Sequence, residues 1–167
     1  MENTQVALLV SLIRGARDHT LDIVKSVPDT HHFKQLAPGK ATPLWLLGHL
    51  TRTVDKLLLE WTLQTDPIMS EKTGIRFAPE HAGGTAPTTD PEDYPSWEAL
   101  MAAYVEATES AMTGLLQLND SDLEKPVPGD MPDAYRVRFP NIGSVCKLLI
   151  AHDGYHRGQM GMIAKMD

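Results

Sequence analysis

Apolar side chains recur at spacings of three and four along four separate stretches of the chain, and proline or glycine marks the segments between them. Such a period places the apolar residues on one face of an α-helix. The first stretch runs from about Thr4 to Val27, with Val6, Leu9, Ile13, Ala16, Val24 and Val27 on its apolar side and Pro28 closing it. The second opens at Thr42-Pro43, an N-cap residue followed by proline at the first helical position. It carries Leu47, Leu50, Val54, Leu57 and Trp61 inward and ends at Asp66-Pro67. The third begins near Ser96 and continues through Leu100, Tyr104, Ala107, Ala111 and Leu115 to about Leu118. The fourth follows Pro140, takes Asn141 as its cap and reaches about Lys165. Strand patterns are nearly absent. Four amphipathic helices of this length bury their stripes most simply against one another, so the expectation is an all-α, four-helix bundle forming one domain over residues 1–167.

Two irregular stretches interrupt this scheme. Residues 68–95, the long connection between helices 2 and 3, hold Pro79, Pro87, Pro91, Pro95, Gly74, Gly83 and Gly84 and show no period. A connection of this length is either a crossover that redirects the chain or a wall over a site. Residues 126–140 place Arg136 and Arg138 in alternation with apolar residues, which reads as a short extended segment whose two arginines are solvated, the alternative being that they meet an anionic ligand.

Charge narrows the range of functions. With 15 Lys plus Arg against 22 Asp plus Glu the formal net charge is −7, and no basic stripe offsets it. Nucleic-acid and anionic-membrane binding both need a basic footprint, so neither is expected. The single cysteine, Cys146, leaves no internal disulfide and no paired-cysteine metal site. The N-terminal stretch, with Glu2 and an apolar run broken by Arg14, is not a signal peptide, and no segment is apolar enough to span a membrane. A soluble, cytoplasmic protein is expected.

Against this background AHDGYHRGQMGMI, residues 151–163, stands out. His152 and His156 are four apart, one helical turn, and continue the row Val145, Leu149, His152, His156, Gln159, Ile163 that reads as the inward seam. Polar groups placed inward need partners. An HxxxH pair alone is compatible with two hydrogen-bonded core histidines or with part of a metal site. A catalytic Zn²⁺-type ion wants three protein ligands and one open position. His49, among the leucines of the second stretch, is the best-placed third ligand. His19, His31, His32 and His81 fall at a helix border or in loops. Cys146 stands about 120° around the helix from His152 and Asp153 about 100°, which suits a buried hydrophobe and a salt-bridging group better than ligands. Gln159 is a candidate for orienting a bound nucleophile, with an interhelical hydrogen bond as its alternative. Trp45 and Tyr155 are candidates for lining a pocket or for the core.

AHDGYHRGQM resembles the H-x-x-x-H-R-x-Q signature of the DinB/YfiT-like superfamily of metal-dependent proteins, and Trp45-x-x-x-His49-Leu50 is similar to its first ligand motif. The resemblance spans the whole chain. It implies an up-down-down-up bundle and a three-histidine divalent metal site with His49, His152 and His156 as ligands. It implies zinc or nickel as the metal, and three imidazoles suit iron as well. It also implies a homodimer. Some relatives are thiol-dependent transferases and isomerases that use a low-molecular-weight thiol cofactor. The expected function is therefore a metal-dependent enzyme acting on a small-molecule substrate, foremost a thiol S-transferase. The alternatives are a metal-dependent hydrolase and a non-catalytic metal-binding stress-response protein.

Overall fold

Thr42, Ser96 and Asn141 each stand just before a helix and each caps it. Their side chains accept hydrogen bonds from the backbone N–H groups of Trp45, Ala99 and Ser144, satisfying donors that a helix start leaves without partners. The computed structural model describes residues 4–167, and among them every regular element is helical. Residues 1–3, Glu2 included, lie outside the described part. The long elements are α1 (Thr4–Ser26), α2 (Pro43–Val54), α4 (Trp97–Leu115) and α6 (Ile142–Ile163). Two short helices, α3 (Glu71–Gly74) and α5 (Asp133–Arg138), lie in the two irregular stretches, with several 3₁₀ turns around them. Among the described residues no helix is long and apolar enough to cross a membrane.

The long helices contact one another in a ring: α1 lies against α6 and α4, and α2 lies against α4 and α6. Their inward stripes form two apolar clusters. One gathers Val6, Val10 and Ile13 of α1 with Ala111, Leu115, Val145 and Leu149. The other gathers Val24, Leu46, Leu47, Leu50, Phe77, Leu100 and Met160. Along α6 the change from one cluster to the other falls between Leu149 and Met160. His152, Asp153 and His156 occupy that interval, so the polar residues sit where the apolar core is interrupted.

Three features differ from the sequence expectations. After Val54 the second helix continues as a π-helix, Asp55–Leu63. Thr62 Oγ1 donates to the Leu57 carbonyl at 2.6 Å, and Gln64 ends the segment in the left-handed region at φ 54°. The wider turn brings Leu57, Leu58 and Leu59 all into the core. The buried Asp55 carboxylate accepts from the N–H groups of Ile68 and Met69, both at 3.0 Å, and folds the chain back after the helix. Burial raises its pKa, and those two bonds oppose the rise.

The segment around Arg136 is helical rather than extended. Arg136 is not solvated: it donates to the carbonyls of Val127 (2.9 Å), Gly129 (2.5 Å) and Met131 (2.9 Å) and pins the loop before α5. The buried stripe of α6 is also displaced from the seam read in the sequence. It runs through Ile142, Val145, Cys146, Leu149, Asp153, Met160 and Ile163. A real helix drifts from a strict 3.5-residue seam, and here the drift puts Asp153 inward and leaves His152, His156 and Gln159 half-buried on its flank.

Candidate metal centre

His49 comes from the middle of α2, and His152 and His156 come from consecutive turns of α6, which packs against α2. Their Nε2 atoms converge: His49 to His152 is 3.2 Å and His156 to His152 is 3.1 Å. The ligand atoms of all three lie within 4.8 Å of one another, and no other His, Cys, Asp or Glu joins the group among the described residues.

The outer ring nitrogens decide what the inner ones can do. His49 Nδ1 lies 2.9 Å from the Phe77 carbonyl, which can only accept, so Nδ1 carries the proton. His156 Nδ1 lies 2.6 Å from Gln159 Oε1, with the same consequence. Both neutral rings therefore turn an unprotonated Nε2 toward His152. A proton on His152 Nε2 can be donated to only one of the other two rings and leaves the second ring's Nε2 lone pair without a donor. A cation satisfies all three. Tetrahedral ligation at Zn–N distances of about 2.0–2.1 Å separates nitrogens by roughly 3.3 Å, close to the distances found here. The donor set fits a divalent ion.

Burial keeps the rings neutral. Desolvation is the largest influence on each: it lowers the pKa of His49 to about 4 and of His152 to about 3, and it lowers that of His156. For His49 the bond to Phe77 opposes the shift, and for His156 the bond to Gln159 does so. Neutral imidazole is the form that ligates a metal.

The supporting contacts come from three places. Trp45 stacks on His49 with ring centroids 4.9 Å apart and anchors its Nε1–H on the Arg76 carbonyl at 3.0 Å. Phe77 lies against Gly48, where a Cβ would come within 2.3 Å of its ring. Only glycine permits that approach, and the approach sets the carbonyl that His49 uses. Tyr155, 65% exposed, lays its ring 4.9 Å from His156. Gln159 bonds within its own helix to His156, so the interhelical bond considered for it is not formed.

Behind His152, Asp153 joins three elements. It accepts from Thr20 of α1 and Tyr104 of α4, each at 2.5 Å, and from Arg157 at 3.3 Å. Its ion pair with Arg157 matches the salt-bridging role expected of it. Cys146 is fully buried and free, and burial pushes its thiol up to about 12, so it is neither ligand nor nucleophile.

The imidazoles open onto a pocket of about 400 Å³. Trp45 and Tyr155 border it, as considered for them. The long connection supplies Pro79, His81 and Ala82, so it forms a wall of the site. Arg52, Arg138 and His81 also line this pocket. Arg138 was read from sequence as a solvated arginine and His81 as a loop residue, and Arg52 was not singled out. Arg52 follows His49 by three residues and therefore shares its helix face, the one signal that pointed to it.

The sequence matches no protein of curated function. The DinB superfamily profile matches residues 12–160, and this span contains α2, the long connection and all three histidines. The chain belongs to the DinB superfamily.

Proposed function

We propose that the protein is a metal-dependent enzyme in which His49, His152 and His156 hold one divalent ion, zinc, nickel or iron, and that it catalyses transfer of a small-molecule thiol to an electrophile. The observation that carries this reading is the convergence of three Nε2 atoms at the floor of an open pocket, with no fourth protein ligand among the described residues. A structural site is closed by a fourth ligand, whereas a catalytic one keeps a position for substrate or water. Bound there, the ion supplies Lewis acidity, lowering the pKa of a thiol or water beside it.

The chain's own residues would prepare the reaction. Phe77 and Gln159 hold the tautomers of His49 and His156, and Trp45 fixes the plane of the His49 ring. Gln159 Nε2, which also reaches the Tyr155 hydroxyl at 3.4 Å, is the group placed to orient a nucleophile. In the transferase reading the thiol sulfur attacks an electrophilic carbon in the pocket. The S–C bond forms, the leaving group departs with its electron pair, and the thiol proton passes to water. An up-down-down-up course of the long helices, a homodimer and a cytoplasmic location belong to the same proposal.

A panel of bacillithiol, mycothiol, glutathione and cysteine, each with monochlorobimane, tests this with and without chelator. Turnover with one of them that chelator abolishes and added Zn²⁺ or Ni²⁺ restores is expected. No metal-dependent turnover with any thiol would favour the hydrolase reading, in which the open position serves water, or a binding role.

A further inference from the structure

The pocket above the histidines is cationic in a chain whose net charge is −7. Arg52, Lys56, His81 and Arg138 line it, and among the described residues no carboxylate does. Lys56 is already engaged, by Glu60 at 2.7 Å and Glu71 at 2.8 Å. Arg52 is not. Its Nε is buried without a hydrogen-bond partner, and its guanidinium forms no ion pair among the described residues. The carboxylate that feels its charge, Glu71, is taken by Lys56. Packing holds the arginine instead: its Cγ, Cδ and Nε lie close enough to Gly74 of α3 that a Cβ there would touch them at 3.8–3.9 Å. Arg138 is exposed and has only the Phe139 ring beneath it, with Cζ 5.5 Å from the centroid. A half-buried guanidinium packed in place, with its Nε buried and unpartnered, is a costly arrangement unless a ligand supplies an anion.

The pocket also has an aromatic wall. Trp61 and Tyr135 meet edge to face with centroids 5.6 Å apart, and Tyr135 continues to Phe139 at 6.4 Å. Flat apolar walls beside fixed cations suit one chemical class.

We propose that this pocket binds a small molecule carrying a carboxylate, phosphate or sulfonate on an apolar, ring-sized body. The anion pairs with Arg52, Arg138 adds the second positive charge, and the body lies on Trp61, Tyr135 and Phe139. The inference deepens the proposed function by giving the substrate class, and it rests on that reading for taking the pocket as the place of reaction.

Phenylacetate and its uncharged counterpart phenylacetamide test it, titrated calorimetrically into metal-loaded protein and into EDTA-stripped protein. Phenylacetate is expected to bind at least about tenfold more tightly than the amide in both forms, the scale of a charge-assisted pair. In Arg52→Gln the ratio is expected to fall to near one, with metal content unchanged. Arg52→Lys, which keeps the charge and loses the fork, is expected to fall between. Should Arg52→Gln fail to fold, Arg52→Lys and the exposed-site variant Arg138→Gln carry the test, and each is expected to lower the ratio. A ratio that these variants leave intact would overturn the proposal, as would no binding of phenylacetate at millimolar concentration. A preference that vanishes with the metal would place the anion on the ion and overturn it too. The stripped-protein titration does not depend on metal or turnover, so failure of the enzymatic reading and failure of this one give different results.

Discussion

The Nδ1–H of His49 donates to the backbone carbonyl of Phe77 at 2.9 Å, across a sequence separation of twenty-eight residues. One bond thus ties the centre of α2 to the long connection and fixes which nitrogen of His49 faces the other two histidines. Gly48 makes it possible by admitting the Phe77 ring. Gly48→Ala is expected to push Phe77 away and lower affinity for Zn²⁺ by about 10- to 100-fold, the range found when a ligand's outer partner is disturbed. Competition with a chromophoric chelator measures it, and unchanged affinity would detach Phe77 from the site.

Gln159 performs the same service for His156 from within α6. Gln159→Leu removes the acceptor and is expected to weaken Zn²⁺ binding by about tenfold or more, while Gln159→Glu restores an acceptor and binds at least as tightly as the parent. A loss shared by both variants would mean that the amide nitrogen, and not the oxygen, is the group that matters.

The four long helices were legible because each carries a 3.6-residue apolar period, and two of them also show their capping residues, Thr42 and Asn141, just ahead of it. The three histidines were legible for a related reason, since an HxxxH pair and a histidine among leucines are both visible along one dimension. What the sequence hid depends on contacts between distant segments or on small departures from ideal helix geometry. The π-turn after Val54 is set by packing of Leu57, Leu58 and Leu59 and by Asp55 reaching Ile68 and Met69. Arg136 was read as solvated because three carbonyls presented by a folded loop leave no trace in composition. Asp153 was placed about 100° off the seam, and the drift of a real helix brought it inside.

Asp153 gives a prediction about stability. Asp153→Ala leaves the hydroxyls of Thr20 and Tyr104 and the Arg157 guanidinium without their shared acceptor, at a cost of about 3 kcal/mol. Tyr104→Phe, which removes one donor and keeps the ring, is expected to cost about 1 kcal/mol. Urea unfolding of the metal-free proteins reads both, and equal effects would show that the carboxylate stabilises the fold through the Tyr104 hydroxyl alone and that its contacts with Thr20 and Arg157 contribute nothing.

The depressed histidine pKa values fix the sign of a pH effect. In the folded metal-free protein His49 stays neutral to about pH 4 and His152 to about pH 3, whereas in the unfolded chain both take a proton near pH 6.5. Between these values the unfolded state binds more protons, so stability falls as pH drops below about 6.5 and the loss levels off near pH 3. Urea midpoints at pH 7, 6 and 5 should decline more steeply for the parent than for a His49→Leu, His152→Leu double variant. Parallel declines would mean that the two rings do not carry the effect.

The central claim is that three converging imidazoles hold one divalent ion. Elemental analysis of protein purified without a histidine tag tests it most directly, alongside His49→Ala, His152→Ala and His156→Ala. About one divalent ion per chain is predicted for the parent, with a large fraction lost in each single variant. Full metal content in His152→Ala and His156→Ala would contradict the assignment.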